Sequence, residues 1–239
     1  MVNRTLLFLA FALTALCVYF HRETFTAFPA HIHAWTQSDR YALALRFAEK
    51  PNLLLPRTFN LATKDGVTAV DLPLHDWLAG ILMRISGTGE PWVFRVWTLL
   101  LSVMGTFFLY KLAVRQTQSA WRGVLVALWT FTLPIAVYYQ DGFLPSAAGF
   151  SLLLIAYERY FSYKEAQKPA QLVQAVLFFT LAALPRSPMV MFLVCVALQE
   201  ILYWRFKREH LAFIPAFGLF GAWALYKNHL SAEFGSQFL

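Results

Sequence analysis

Asp39 and Asp71 lie in the polar segment between the first two long apolar stretches, Asp141 in a short connection between two others, and Arg186 in a short proline-flanked connection between two more. A carboxylate so placed can take a proton from an attacking hydroxyl. A guanidinium can hold a departing phosphate through paired hydrogen bonds. Acids and a cation gathered at one membrane interface therefore suit group transfer from a lipid-linked phosphate. Arg40, beside Asp39, and Arg95, at the head of an apolar stretch, are further candidates for substrate contact. Each residue also has a plainer reading. Ser38 or Asp39 could cap a helix, as could Asp71 ahead of Leu72-Pro73. Asp141-Gly142 is good turn chemistry, and Arg95 and Arg186 could be interface anchors whose heads reach for the headgroups. His31, His33 and His75 lack the spacing of a metal site and read as structural or surface residues. Cys17 and Cys195 are the only cysteines and both lie in apolar stretches, so neither a disulfide nor a metal set is indicated and no cofactor is expected.

These residues need elements to hold them, and the composition says what kind. Hydrophobic residues make up 59% of the 239 and charged residues 14%, whereas soluble domains run to about half and a quarter. The surplus falls in blocks whose length suits a helix across a hydrocarbon core, and lipid leaves the backbone no other means of satisfying itself. The blocks run from Leu6 to Phe20, Trp92 to Val114, Gly123 to Tyr139, Leu144 to Phe161, Leu172 to Leu184, Met189 to Trp204 and Leu211 to Tyr226. The expected fold is all-α: one polytopic membrane domain over 1–239, with about seven transmembrane helices. Pro185 and Pro188 leave open whether 172–204 is two short spans or one broken re-entrant pair. No small-x-small cleavage pattern follows the first block, which reads as an uncleaved anchor.

Basic residues mark the cytoplasmic side of short loops. With the N-terminus inside, the inner segments hold Arg4, Lys111, Arg115, Arg122, Arg159, Lys164, Lys168, Arg205, Lys207 and Arg208, and the short outer loops hold Arg186 and Lys227. The expectation is a cytoplasmic N-terminus and an outer loop over 22–90. The net charge of +7 is then a matter of topology, and no basic run with interleaved aromatics suggests nucleic acid. Ionisable groups are scarce within the apolar blocks, which argues against an ion-coupled transporter.

The long loop contains two stretches that read as helices lying in the interface. From Asp71 to Ile85, Leu74, Leu78, Ile81, Leu82 and Ile85 share one face, and from Arg40 to Lys50, Leu43, Ala44 and Phe47 do the same. A turn-rich segment with Pro51, Pro56, Asn60, Asp65 and Gly66 joins them.

Several of these segments resemble the bacterial GT-C glycosyltransferases of the protein-mannosyltransferase-like type (glycosyltransferase family 39-like). The stretch from Trp35 through Asp39 to Phe47 resembles their first outer-loop motif, in which an acid follows the first span and opens a short helix. The run Asp71-Leu72-Pro73-Leu74-His75-Asp76-Trp77-Leu78 resembles the second acidic motif, and Gly87 to Arg95 resembles the glycine-to-arginine approach to the second span. Gln140-Asp141-Gly142 and Arg186 sit where relatives often carry a polar residue and a basic residue near the lipid phosphate. Arg40 departs from the pattern, since many relatives have a second acid there, and the chain would be a short member. The resemblance implies inverting transfer of a sugar from a polyprenyl-phosphate donor, without an indicated metal, at the outer face of a bacterial inner membrane. Asp39 would be the general base, assisted by Asp71, with Arg186, Asp141, Arg95 and Arg40 on the substrates. The acceptor, whether lipid, glycan or protein, stays open, as does a membrane-protein partner. The alternative is a non-catalytic membrane subunit that keeps the scaffold and binds lipid or a partner protein.

Overall fold

The computed structural model describes residues 4–202 and 207–235. Trp204 and Arg205, read above as the end of a span and as a topogenic cation, lie outside the described residues. Ten α-helices account for most of the described chain, and among the described residues the only β feature is an isolated antiparallel bridge between Arg57 and Val67. Helix α1 is Arg4–His21, α2 Ala34–Glu49, α3 Leu74–Ser86, α4 Pro91–Thr117 and α5 Ala120–Thr132. Helix α6 is Pro134–Gln140, α7 Pro145–Ala166, α8 Pro169–Ala183, α9 Val190–Leu202 and α10 Phe213–Phe234. Proline opens α4, α6, α7 and α8 at the position where a missing N–H costs nothing.

Every expected apolar block is helical, but the blocks are not equal. By length and apolarity, α1 and α4 can each cross a membrane. The block from Gly123 to Tyr139 is a broken pair, α5 and α6, bent by 72° where Pro134 removes a helical hydrogen bond. Helix α8 has only 15 residues, about 22 Å at the helical rise, and so falls short of a core about 30 Å thick. Helices α7 and α10 are long enough, at 22 residues each. Their second halves carry Glu158, Arg159, Lys164 and Glu165 in one case, and Lys227 and Glu233 in the other. The segment around Pro185 and Pro188 separates two distinct helices, α8 and α9, through a short 3-10 turn at Ser187–Met189.

Helix α7 lies between α4 and α8, α5 joins α4 to α1, and α9 and α10 pack on α8. The core between α7, α8 and α9 is built from Tyr160, Leu172, Val176, Phe179 and Leu193. Small residues allow the closest approaches. A Cβ at Gly105 of α4 would stand 2.5 Å from Ser151 Oγ of α7, and one at Gly80 of α3 would stand 2.6 Å from the Ala44 carbonyl of α2. Thus α2 and α3 form a tight pair. Phe94 and Val93 of α4 and Phe143 complete the apolar cluster beneath it.

The charged groups divide between two ends of the bundle. His21, the start of α4, the 141–144 turn, the 184–189 segment and Lys227 meet the long loop at one end. At the other, Glu158 holds Lys111, Arg115 and Arg159, while Glu200 holds Lys164 and His210.

Candidate functional site

Helix α2 begins at Ala34, with His33 at the N-cap position and no side-chain capping bond. Asp39 therefore lies inside the helix, neither opening nor capping it, which corrects the boundary expected at Arg40. Its carboxyl group is half-buried, and Oδ2 is buried without a hydrogen-bond partner among the described residues. Burial pushes the carboxyl above its ordinary range, and the Arg40 guanidinium opposes that in part. Gln37, two residues earlier, fixes α2 against the rest of the site. Its Nε2 donates to the Ala30 carbonyl at 3.2 Å and the Tyr138 hydroxyl at 3.3 Å, and its Oε1 accepts from the Phe143 N–H at 3.5 Å.

Arg40 turns inward and meets Asp76 of α3, Nη1 to Oδ2, at 3.0 Å, and both side chains are buried. Burial raises Asp76 to about 6 despite the guanidinium. His75 beside it is also buried, which pushes it down to about 3 and keeps it neutral. Trp97 Nε1 donates to His75 Nδ1 at 3.0 Å, so the ring proton belongs on Nε2, which faces Thr98 Oγ1 at 3.2 Å. His75 is thus a structural residue tying α3 to α4.

Arg95 and Asp141 form a second buried knot. Arg95 Nη1 donates to Asp141 Oδ2 and to the Asp141 carbonyl, both at 3.1 Å, while Nε and Nη2 donate to the Ala27 carbonyl at 3.0 and 2.9 Å. Its guanidinium also lies 4.6 Å from the centre of the Phe143 ring. Thr24 Oγ1 donates to Asp141 Oδ2 at 2.7 Å, and His21 Nδ1 lies 3.4 Å from the same oxygen. Burial works against ionisation of Asp141, but His21, Thr24 and Arg95 outweigh it and hold the carboxyl below its ordinary range. Arg95 is consequently 6% exposed and paired, not an anchor reaching for headgroups.

Asp71 precedes α3 by three residues and does not cap it, because Pro73 occupies the N-cap. Its two oxygens are both engaged: Oδ2 accepts from the Ser187 N–H at 3.1 Å and Oδ1 meets Lys227 Nζ at 3.0 Å. Burial opposes its charge, yet the Ser187 and Lys227 contacts prevail and lower its pKa. Asp71 so clips the long loop to α10 and to the segment carrying Arg186. Arg186 itself is exposed and has no ion-pair partner among the described residues. Gly149 of α7 lies under it, with space for a Cβ at 3.6 Å from Arg186 Cβ and 3.7 Å from Met189 Cγ.

Met189 also lines an apolar cavity of about 350 Å³ between α4, the broken α5–α6 pair and α7. Thr106, Phe131, Tyr139, Phe150 and Leu154 contribute to its wall. Among the described residues, the chain thus offers an Asp39 oxygen without a hydrogen-bond partner, an Arg186 without an ion-pair partner and an apolar hollow that Met189, three positions after Arg186, helps to line. Asp76, His21, Thr24 and Gln37 were not singled out from the sequence as site residues. Their side-chain partners stand 36 to 120 positions away, and nothing local in the chain reports such pairings. Among the described residues no group of three or more His, Cys, Asp or Glu side chains is arranged to hold a metal ion.

The family model described as dolichyl-phosphate-mannose-protein mannosyltransferase matches residues 70–227, a segment that includes Asp71, Asp76, Arg95, Asp141 and Arg186 and begins after Asp39 and Arg40. No curated protein and no solved structure matches the chain.

Proposed function

Since the chain belongs to the dolichyl-phosphate-mannose-protein mannosyltransferase family, and is thereby a membrane glycosyltransferase of the mannosyltransferase kind, we propose that it transfers a sugar from a polyprenyl-phosphate donor to an acceptor hydroxyl at the looped end of the bundle. Asp39 takes the hydroxyl proton as the acceptor oxygen attacks the anomeric carbon from the face opposite the phosphate. The bond from that carbon to the phosphate oxygen breaks, its electron pair leaves with the phosphate, and configuration inverts. Arg186 holds the departing phosphate, and the apolar cavity beside it receives part of the lipid chain. Asp71 keeps the Arg186 segment in place from the acceptor side. Arg95, Asp141 and Arg40 contribute to substrate binding by fixing the floor on which donor and acceptor meet. The observation that carries this reading is Arg186, exposed and without an ion-pair partner among the described residues, three positions before Met189, which lines an apolar cavity in the helical layer.

The direct test is transfer of labelled sugar from polyprenyl-phosphate sugars to extracted acceptors, with Arg186 varied. A charge-assisted hydrogen bond contributes about 1.5–3 kcal/mol. Arg186→Ala should therefore raise the donor KM about 10- to 150-fold, by the conversion of 1.4 kcal/mol per tenfold, and Arg186→Lys should retain part of the affinity. Unchanged donor affinity in the Ala variant would reduce Arg186 to an anchor. No transfer from any polyprenyl-phosphate sugar would favour the scaffold alternative.

The same reading places the chain as a multi-pass protein in the bacterial inner membrane, with the N-terminus cytoplasmic and loop 22–90 outside. In a background without Cys17 and Cys195, single cysteines at the exposed positions Asp65 and Lys168 report the sides. An impermeant thiol reagent on intact cells should label position 65 and spare 168. The reverse pattern would invert the topology.

A further inference from the structure

Three buried polar atoms of α2 and α3 have no hydrogen-bond partner among the described residues, Asp39 Oδ2 and Arg40 Nε on α2 and Asp76 Oδ1 on α3, and Arg40 and Asp76 meet across the seam between the two helices. The seam is closed by the Gly80–Ala44 approach and by Leu43, Phe47, Val70 and Trp77. Water therefore cannot readily screen the charges inside it, and a charge there acts on its neighbours more strongly than on the surface. Arg40 is paired with one carboxylate and adjoins another in the chain. Its head pairs with Asp76 at 3.0 Å, and Asp39 is its neighbour in the chain and feels its charge.

Few other groups enter this balance. On α3, His75 is neutral and bonded to Trp97 and Thr98 of α4. Arg95 of α4 is committed to Asp141. The charges of α7, Glu158 and Arg159, belong to the opposite end of the bundle with Lys111. Among the described residues, Arg40 is the only charged side chain paired with Asp76.

We propose that Asp76 is a positioning residue for the transfer reaction, which holds and partly neutralises Arg40 and so sets how readily Asp39 accepts a proton. The proposal rests on the reading of Asp39 as the base. With Asp76 ionised, its charge offsets part of the Arg40 field at Asp39. When Asp76 takes up a proton, which burial favours as pH falls through about 6, Arg40 acts on Asp39 undiminished and keeps it ionised. Protonation of the buried acid thus strengthens the hold of Arg40 on the ionised form of the base.

Carbodiimide labelling tests this on the full chain in lipid nanodiscs, because the reagent modifies protonated carboxyls and mass spectrometry reads position 39 separately from position 76. Asp76→Asn should lower the pH at which Asp39 is half-labelled by about half to one pH unit, the scale expected for a screened charge at this range. Arg40→Gln should raise it by a similar amount. The neutral pair Arg40→Gln with Asp76→Asn keeps a hydrogen bond across the seam and should follow Arg40→Gln, which also covers the case in which Asp76→Asn alone fails to fold. The acid limb of the transfer rate should move in the same directions. Identical labelling midpoints in all three variants, with only rate or stability reduced, would overturn the proposal. The labelling needs neither donor nor acceptor, so its failure is separate from a failure of transfer.

Discussion

Asp39→Asn is expected to reduce the turnover of sugar transfer about 10²- to 10⁴-fold, the range for a lost general base, while leaving the folded protein as stable as before or slightly more so. The second half of this expectation follows from where Asp39 stands. It lies two turns into α2, so no capping bond is lost. Its carboxyl is kept above its ordinary range by burial and has an oxygen without a partner, so the ionised form adds nothing that a neutral amide of the same shape would forfeit. Catalysis and stability are separated by one substitution. The measurement is initial rate at saturating donor, with thermal denaturation of the same preparations. Wild-type turnover from the Asn variant would remove Asp39 from the chemistry, and a rate loss accompanied by a large drop in stability would show a structural residue instead.

Arg95→Met should cost about 3–5 kcal/mol of stability, as expected when one partner leaves a buried ion pair. Arg95 supplies four hydrogen bonds, and its loss strands Asp141 in a site where it is 5% exposed. The double variant Arg95→Met with Asp141→Leu should recover much of the loss, because no uncompensated charge is then left inside. Denaturation in mixed detergent micelles reads both. The pH dependence has a definite sign. The folded-state pKa of Asp141 is depressed, so its stabilising contribution is complete above the ordinary carboxylate pKa. It is lost only as pH falls through the lower, folded-state value. Wild-type protein should therefore hold this end of the bundle together into mildly acidic solution. Equal stability of Arg95→Met and wild type at neutral pH would mean that Asp141 finds water or another cation.

The helical fold was legible because apolarity and length are properties of contiguous chain. Each block from Leu6 to Tyr226 returned as helix, and the amphipathic spacing of Leu74, Leu78, Ile81 and Leu82 marked α3 within three residues of its start. The break at Pro134 was overlooked because the composition on its two sides is alike and only geometry separates α5 from α6. At the site, Asp39, Asp71, Arg95, Asp141 and Arg186 stood out as charges beside apolar stretches. What each is bonded to did not, since the Arg40–Asp76 and Arg95–Asp141 pairs close across 36 and 46 residues. Asp76 read as one more polar residue on an amphipathic helix, and only its 0% exposure reveals an interior role. Asp39 was misplaced relative to its helix for a local reason. Thr36, Ser38 and Asp39 are all capping residue types, whereas His33 starts the helix without a side-chain bond.

The knot around Glu158, at the far end from the site, also sets an order of events. Lys111 and Arg115 stand near the end of α4, and their carboxylate partner arrives 43 residues after Arg115, on α7. Until α7 has been made, neither cation of α4 has this partner, and bare basic residues at the end of an apolar helix are the kind of marker that orients a span. Once α7 comes alongside, Gly105 against Ser151 brings the two helices close enough for Glu158 to take up both charges and Arg159 as well. The cations of α4 thus form a latch between neighbours that can close only when α4 and α7 lie side by side with their Glu158 ends together.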